Sequence, residues 1–278
     1  MIEDKKDDSG SIQPHLRQYH VAGSASEVVL SFSGGRTSAL MTIEYLKEKD
    51  AVVIFANTGK ENEATLKFVH EVDKYIGNRI VWIEYNPDPE KWFDVVSYET
   101  ASRKGEPFAA LIRKRKYCPN RVARFCTQDL KIRPMKKFCQ RVLGWENWTN
   151  LVGIRYDEPR RWSKSKSVER NEVFDVEHPL VSWKITKPQV LEYWRKMPFD
   201  LELKEHEGNC DLCFLKGKKK KQAIARETPE KFDWWIEMEK EVGGTFVPDY
   251  TYEQLRRNVI NAPEIQFDDT IECFCNID

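Results

Sequence analysis

Runs of apolar residues alternate with helix-like periodicity from the first third of the chain onward. Glu27-Val-Val-Leu-Ser-Phe32 is a short β-type run stopped by Ser33-Gly34-Gly35. Apolar positions then recur at Leu40, Met41, Ile43, Tyr45 and Leu46, the spacing of an amphipathic helix that ends near Lys49. Ala51-Val-Val-Ile-Phe-Ala56 predicts a second strand, closed by Asn57-Thr58-Gly59. Ala64 to Tyr75 predicts a second helix, and Arg79-Ile-Val-Trp-Ile-Glu84 a third strand. Strand–helix–strand–helix–strand with short connections implies parallel strands joined by right-handed crossovers. The predicted class is therefore α/β, an open parallel sheet with helices on both faces.

Further along, Lys131 to Leu143 predicts a helix that tolerates Pro134 near its start. Asn150 to Ile154 and Val173 to Val176 are expected strands, and Pro188 to Lys196 a helix. Beyond about residue 206 the composition turns to Cys, Gly and Lys, followed by helix-like segments near 218–226, 231–242 and 252–259. The expected layout is a loose leader over residues 1–24, a nucleotide-binding α/β domain over 25–205, and a small, mostly helical subdomain with a tail over 206–278.

Composition narrows the options. The chain has 278 residues, 40% of them apolar, with nine Trp, ten Tyr and fourteen Phe, enough for a sizeable core. Forty-five basic residues balance forty-five acidic ones, so any attraction to a polyanion must be local. No apolar run is long enough to span a bilayer, and residues 1–9 lack the apolar stretch of a secretory signal. A cytoplasmic protein with no membrane partner is expected. Seven cysteines in a reducing compartment point to buried thiols, metal or cluster ligands, or a reactive thiol rather than to disulfides.

Candidate chemistry begins at the end of the first strand. In Ser31-Phe-Ser33-Gly34-Gly35-Arg36-Thr37-Ser38, glycines permit a tight turn and the following helix offers unpaired N–H groups to an anion. Ser31, Ser33, Thr37 and Ser38 carry hydroxyls and Arg36 a fixed charge. Neither the Walker nor the dinucleotide glycine spacing is present. A plain turn with a helix start is the alternative. Cys210-Asp-Leu-Cys213 has the spacing that lets two thiolates share one metal, and Cys126 and Cys118 lie upstream. Zinc and [4Fe–4S] both suit such a ligand count, and the alternative is that Cys118, Cys126 and Cys139 are small core residues. Arg155, Arg160 and Arg161 follow a predicted strand end and could fork onto sulfate or phosphate, or pair with Asp157 and Glu158. Two basic runs, 113–116 and 218–221, border cysteine segments; they are solvated faces or nucleic-acid contacts.

Ser33-Gly-Gly-Arg-Thr-Ser38 resembles the PP-loop of ATP pyrophosphatases and of the phosphoadenosine phosphosulfate (PAPS) reductase-like proteins. Similarity continues at Ala56-Asn57-Thr58-Gly59, at Cys126-Thr-Gln-Asp-Leu-Lys-Ile-Arg-Pro-Met135, at Gly153-Ile-Arg155 and at His178-Pro-Leu-Val-Ser-Trp183, in the family's order over roughly residues 27–216. The resemblance implies an adenine nucleotide (PAPS, adenylyl sulfate or ATP, with Mg²⁺ if ATP is cleaved) held by residues 31 and 33–38, by Asn57, Thr58 and Gly59, and by Gly153 and Arg155. Thr37 stands where many members carry Asp. The family's iron–sulfur members pair an upstream cysteine region with a downstream Cys-x-x-Cys, which implies Cys126, Cys210 and Cys213 as ligands with Cys118 or His206 as a fourth. Assimilatory reductases place a nucleophilic cysteine after a Glu near the chain end, similar to Glu272-Cys273. The implied activity is sulfonucleotide reduction or sulfur transfer with a thiol or sulfur-donor protein. The alternatives are an ATP-dependent sulfurtransferase acting on a nucleobase or nucleic-acid backbone, and a nucleotide-binding module without catalysis.

Overall fold

The computed structural model describes residues 27–167, 173–204, 206–208 and 210–261. Six strands form one sheet: β1 Val28–Phe32, β2 Val52–Asn57, β3 Ile80–Tyr85, β4 Phe93–Val96, β5 Trp148–Val152 and β6 Phe174–Glu177. Their spatial order is β4-β3-β2-β1-β5-β6. All neighbouring pairs are parallel except β3–β4, which is antiparallel. The expected all-parallel sheet is thus mostly parallel, with one antiparallel strand added at the edge. Chain order reverses across β1, which lies between β2 and β5, so a crevice opens at its carboxyl end.

Every residue of β3 is buried, as a central strand covered on both faces requires. On one face, α1 Arg36–Glu48, α2 Glu63–Tyr75 and α8 Lys187–Arg195 pack Leu40, Phe68 and Trp194 against Leu30, Val53 and Phe55. On the other, a helical rod over residues 125–143 packs Ile132, Met135 and Phe138 against Val29, Ile54 and Val81. Sequence periodicity predicts one ordinary helix there. The rod instead alternates α4 Phe125–Thr127, a wide π turn Gln128–Ile132, α5 Arg133–Phe138 and a second π turn Cys139–Leu143. The wide turns are a common device for re-aiming side chains near functional sites.

The remaining helices are α3 Glu106–Arg115, α6 Pro159–Ser167, α7 Pro179–Ser182, α9 Lys218–Glu227, α10 Phe232–Val242 and α11 Tyr252–Ile260. Residues beyond 206 do not form a core of their own. Trp235, Phe246 and Tyr252 join Phe108, Leu111, Cys118 and Leu130 in one apolar cluster, with the Phe108 and Trp235 rings 5.7 Å apart edge to face. A buried ion pair adds to this seam. Lys60 Nζ lies 2.9 Å from Asp211 Oδ2, with both side chains 9% exposed, and Trp235 Nε1 donates to Asp211 Oδ1 at 2.8 Å. Among the described residues, no helix is long and apolar enough to cross a membrane. The leader 1–24 lies outside the described residues.

Candidate functional site

Two cavities open at the carboxyl end of β1, and Ser33 lines both. The first, about 180 Å³, is built by the loop Ser33 to Ser38, by Thr65 of α2, and by Gly153, Arg155, Glu158 and Arg161. Gly34 sits at φ +77°, and a Cβ there would lie 2.8 Å from Thr65 Cγ2, so both conformation and space require glycine. Gly153 is required for a different reason. A Cβ on it would come within 2.9 Å of Ser38 Cα, so the β5 turn and the start of α1 touch backbone to backbone.

Local sequence keeps the start of α1 open. Gly35 is its N-cap, no side chain caps it, and its first turn carries no acid. The first-turn N–H groups of a helix have no partner within it, and the helix dipole makes this end positive. Ser38 Oγ turns back on the loop: it accepts from Ser33 N at 3.2 Å, donates to Gly35 O at 3.0 Å and lies 2.9 Å from Ser33 Oγ. The result is an amide-lined cradle fixed by its own serines, suited to a phosphoryl or sulfuryl group.

The arginines are placed less simply than sequence suggests. Arg36 lines the cavity, yet its guanidinium forks onto Asp200 at 2.6 and 2.8 Å and reaches Leu201 O at 2.6 Å. Arg155 donates from Nε to Asp157 Oδ1 at 2.9 Å, and its backbone N–H donates to Glu158 Oε2 at 3.0 Å. Arg161 pairs with Glu158 Oε1. Glu158 therefore gathers Arg155 and Arg161 in the cavity, whereas Arg160 is exposed outside it. Burial opposes ionisation of Asp157, but the Lys187 amide and Arg155 outweigh it and hold its carboxyl below the usual range.

The second cavity, about 110 Å³, lies between the sheet and the 125–143 rod. Its apolar walls include Ile54, Ala56, Val152, Phe174 and Val176; its polar groups are Ser31, Asn150, Thr58, Arg124 and Lys131. Cys126, Cys210 and Cys213 all line it. The loop after β2 carries the downstream cysteines: Asp211 N donates to Lys60 O at 2.7 Å, Glu61 and Cys210 form an isolated antiparallel bridge, and Asn62 Nδ2 donates to Glu207 O at 2.7 Å. Thr58 Oγ1 lies 3.6 Å from Cys210 Sγ. The π turn aims Lys131 at this group, with its Nζ 3.9 Å from Glu61. Burial disfavours the Lys131 charge, yet Glu61 and the three neighbouring thiols hold its pKa above the ordinary lysine value.

Burial holds Cys126 and Cys210 in their protonated forms. Burial, reinforced by Cys213, pushes Cys126 up to about 11, with Lys131 and Arg124 pulling the other way. Burial and then Glu61 raise Cys210 further. Cys118 is elsewhere: it sits in the apolar cluster with α10, its thiol 3.9 Å from Met238 O, raised to about 12 by burial and Glu239. It does not complete a set with the other three. Cys139 lies in the core beneath the sheet. His206 faces Glu227 at 3.1 Å. Among the described residues, no three or more His, Cys, Asp or Glu are gathered closely enough to hold a metal ion. The donor types suit zinc or an iron–sulfur cluster, but the thiols as placed are not a ligand set for either. Cys273 and Cys275 lie outside the described residues.

Asn57 and Gly59 shape the second strand's exit rather than line a cavity. Asn57 is fully buried, donating to Glu84 Oε1 at 2.6 Å and Ser102 O at 2.9 Å and accepting from Gly59 N at 3.1 Å. Burial raises the Glu84 carboxyl against the pull of Ser102 and Asn57. Thr58 does reach the cavity. The basic runs 113–116 and 218–221 are mostly exposed, with Lys221 buried as the exception. Lys216 and Lys221 are 1% exposed, with their ammonium groups on the carbonyls of Gly208 and Phe214 and, for Lys216, of His206. Arg113 and Arg115 pair with Glu241 and Asp129. Sequence reasoning offered Glu158 as a partner of the arginines, and the structure pairs it with Arg155 and Arg161. It missed Lys131, Asn150 and the Lys60–Asp211 pair; Lys131 had a signal, a lysine inside the Cys126 to Met135 segment.

Sheet, cradle and thiol-lined cavity together define a PP-loop α/β protein. The phosphoadenosine phosphosulfate reductase domain matches residues 27–202, well over half of the chain. The chain belongs to that family. It is 34% identical over 204 residues to the uncharacterized nin region protein ORF290 of Escherichia phage lambda, covering 69% of this chain and 67% of that one. It is also 27% identical over 219 residues to an uncharacterized protein of Methanocaldococcus jannaschii, covering 75% of this chain and 40% of that longer protein.

Proposed function

We propose that the chain binds an adenine nucleotide with its phosphoryl or sulfuryl groups in the Ser33–Ser38 cradle and carries out sulfur transfer on it, as a sulfonucleotide reductase. The observation that carries this reading is the junction at Ser33, which joins an anion cradle to a cavity lined by three thiols. In the reductive reaction a thiolate attacks the sulfuryl sulfur. The sulfur–oxygen bond to the nucleotide breaks, its electron pair leaves on the phosphate oxygen, and an S-sulfocysteine remains. A second thiol then attacks the cysteine sulfur, forms a disulfide and releases sulfite, and an external thiol donor restores the first thiol. We assign the first attack to Cys273, whose Glu272-Cys273 setting is similar to the assimilatory pattern but lacks the Gly and His that normally follow. Cys126 and Cys210 are protonated at neutral pH and serve this step poorly as placed.

A second reading is supported by those same three thiols. ATP would adenylate an acceptor oxygen on a nucleobase or nucleic-acid backbone with release of pyrophosphate. The outer sulfur of a persulfide on one cavity thiol, supplied by a sulfur donor, would displace AMP. A second cavity thiol would cleave the remaining sulfur–sulfur bond, leaving a disulfide for an external thiol to reduce. Products separate the two. Titration with ATP, adenylyl sulfate and PAPS, followed by assays for sulfite and pyrophosphate with thiol donor present, is the test. Sulfite from a sulfonucleotide supports the reductase. Pyrophosphate formed only with nucleic acid present supports the transferase. Binding without turnover supports a module without catalysis, and no affinity for any of the three overturns the nucleotide assignment.

A further inference from the structure

Apart from the thiol end of the second cavity, its walls along the sheet are apolar except at Ser31 and Asn150. Ser31 on β1 and Asn150 on β5 sit on neighbouring parallel strands, in the register that pairs Val29 with Asn150. Ser31 Oγ donates to Asn150 Oδ1 at 2.7 Å and lies 3.3 Å from Met135 Sδ. Asn150 is 5% exposed. Its carbonyl accepts from Ser31, and the amide lines the cavity without a hydrogen bond from its Nδ2 to another described residue. A donor at a cavity wall is open to completion by water or by a ligand.

The apolar space around it, lined by Ile54, Val152 and Phe174 of the sheet and by Ile132 and Met135 of the rod, suits an apolar ring with few polar contacts. Two residues of strand, about 7 Å, separate Ser31 from Ser33 in the cradle. A ligand with phosphates at the loop enters this cavity past Ser33, and a ribose bridges that distance. We propose that Asn150, oriented by Ser31, is the specificity-determining residue that donates a hydrogen bond to a ring nitrogen of the nucleotide's purine base. This rests on the nucleotide reading above and names the group that reads the base. Ser31 acts through Asn150, as a positioning residue.

The test uses the full chain and four probes: ATP, 7-deaza-ATP, 1-deaza-ATP and inorganic tripolyphosphate, each titrated calorimetrically. Wild type should bind one deaza analogue roughly 3- to 10-fold more weakly than ATP, the size expected of one neutral hydrogen bond. Asn150→Ala should weaken ATP by the same factor, erase the difference between ATP and that analogue, and leave tripolyphosphate unchanged. Asn150→Asp, which keeps the shape and removes the donor, should do the same, and Ser31→Ala should lie between. Thermal melts and the tripolyphosphate affinity separate misfolding from lost recognition. The proposal is overturned if wild type binds ATP and both deaza analogues equally, or if the Asn150 variants lose ATP and tripolyphosphate in parallel. If wild type binds tripolyphosphate but no adenine nucleotide, the nucleotide reading itself fails and takes this inference with it.

Discussion

The two cavities that meet at Ser33 are built in opposite ways. The cradle is made by six consecutive residues, Ser33 to Ser38, whose glycines, serines and open helix end are all local. The thiol cavity draws Cys126 from the rod, Cys210 and Cys213 from a distant loop, and Thr58 from the exit of β2, with Lys60 tying that loop in through Asp211. The first is a backbone device, and the second is a tertiary one. A backbone device tolerates change in side chains and fails when backbones are forced apart. A tertiary one fails when the contacts that join its segments are lost.

The largest effect should come from breaking the tie between segments. Lys60→Met leaves Asp211 as a charge 7% exposed, still bonded to Trp235 but without its cation. Such a change costs about 3–5 kcal/mol, read as a lowered urea midpoint. The double variant Lys60→Met, Asp211→Asn should recover part of that loss, because it removes the buried charge and keeps an acceptor for Trp235 Nε1. Alkylation of Cys210 and Cys213 should accelerate in the single variant, while tripolyphosphate affinity of the folded protein holds. Equal loss of phosphate affinity would show that the two cavities are not separable.

Gly153→Ala should do the reverse. Its methyl would meet Ser38 Cα at 2.9 Å, so the start of α1 must move. Overpacking of this kind costs about 1–3 kcal/mol. Displaced amides should weaken tripolyphosphate at least tenfold, with the cysteine labelling pattern unchanged. A variant that keeps wild-type affinity would mean that the cradle is not the anion site.

A pH series sharpens the contrast further, because the thiol cavity holds a group that titrates in the alkaline range. Burial, then Cys213, raise Cys126 to about 11. Its alkylation rate should keep climbing beyond pH 9, where an exposed cysteine has levelled off, and flatten near pH 11. The sign of the linked stability follows. Between about pH 9 and 11 the folded chain holds a proton that the unfolded chain has released, so stability falls as pH rises through that window. Phosphate affinity should stay flat over the same range. A labelling plateau near pH 8 to 9 would show that Lys131 and Arg124 dominate burial at this thiol.

The same contrast explains what could be read in advance. The strands at 27–32, 51–56 and 79–84 announced themselves because covered parallel strands are continuous apolar runs, and each appears within one residue of its expected place. β4 was missed because Phe93-Asp-Val-Val is four residues of edge strand held only by β3. α3 was missed because its apolar face, Phe108, Leu111 and Ile112, ends in a basic run that reads as solvent-facing. The cradle was legible because its chemistry lies in one stretch. Lys131 and Asn150 were not, since a lysine and a strand amide acquire meaning only from distant neighbours, Glu61 for the one and Ser31, 119 positions away, for the other. Lys216 and Lys221 make the same point in reverse, since two lysines in and beside a solvated run are folded inward onto carbonyls.

The smallest expected effect tests the one charged residue inside the cradle's own sequence. Arg36 faces the phosphate cavity in sequence, but its fork is occupied by Asp200 and Leu201 O, and its own carbonyl accepts from Trp194 Nε1 at 2.9 Å. The Arg36 side chain is 28% exposed and that of Asp200 42%, so the pair is partly screened and worth about 0–1 kcal/mol. Arg36→Ala should therefore shift the urea midpoint little and weaken tripolyphosphate less than about threefold, the anion being held by amides that the substitution leaves in place. A loss of tenfold or more would mean that the ligand draws Arg36 away from Asp200. In that case Asp200→Asn, which releases the guanidinium, should tighten binding, and the cradle would depend on a side chain switched between two partners rather than on backbone alone.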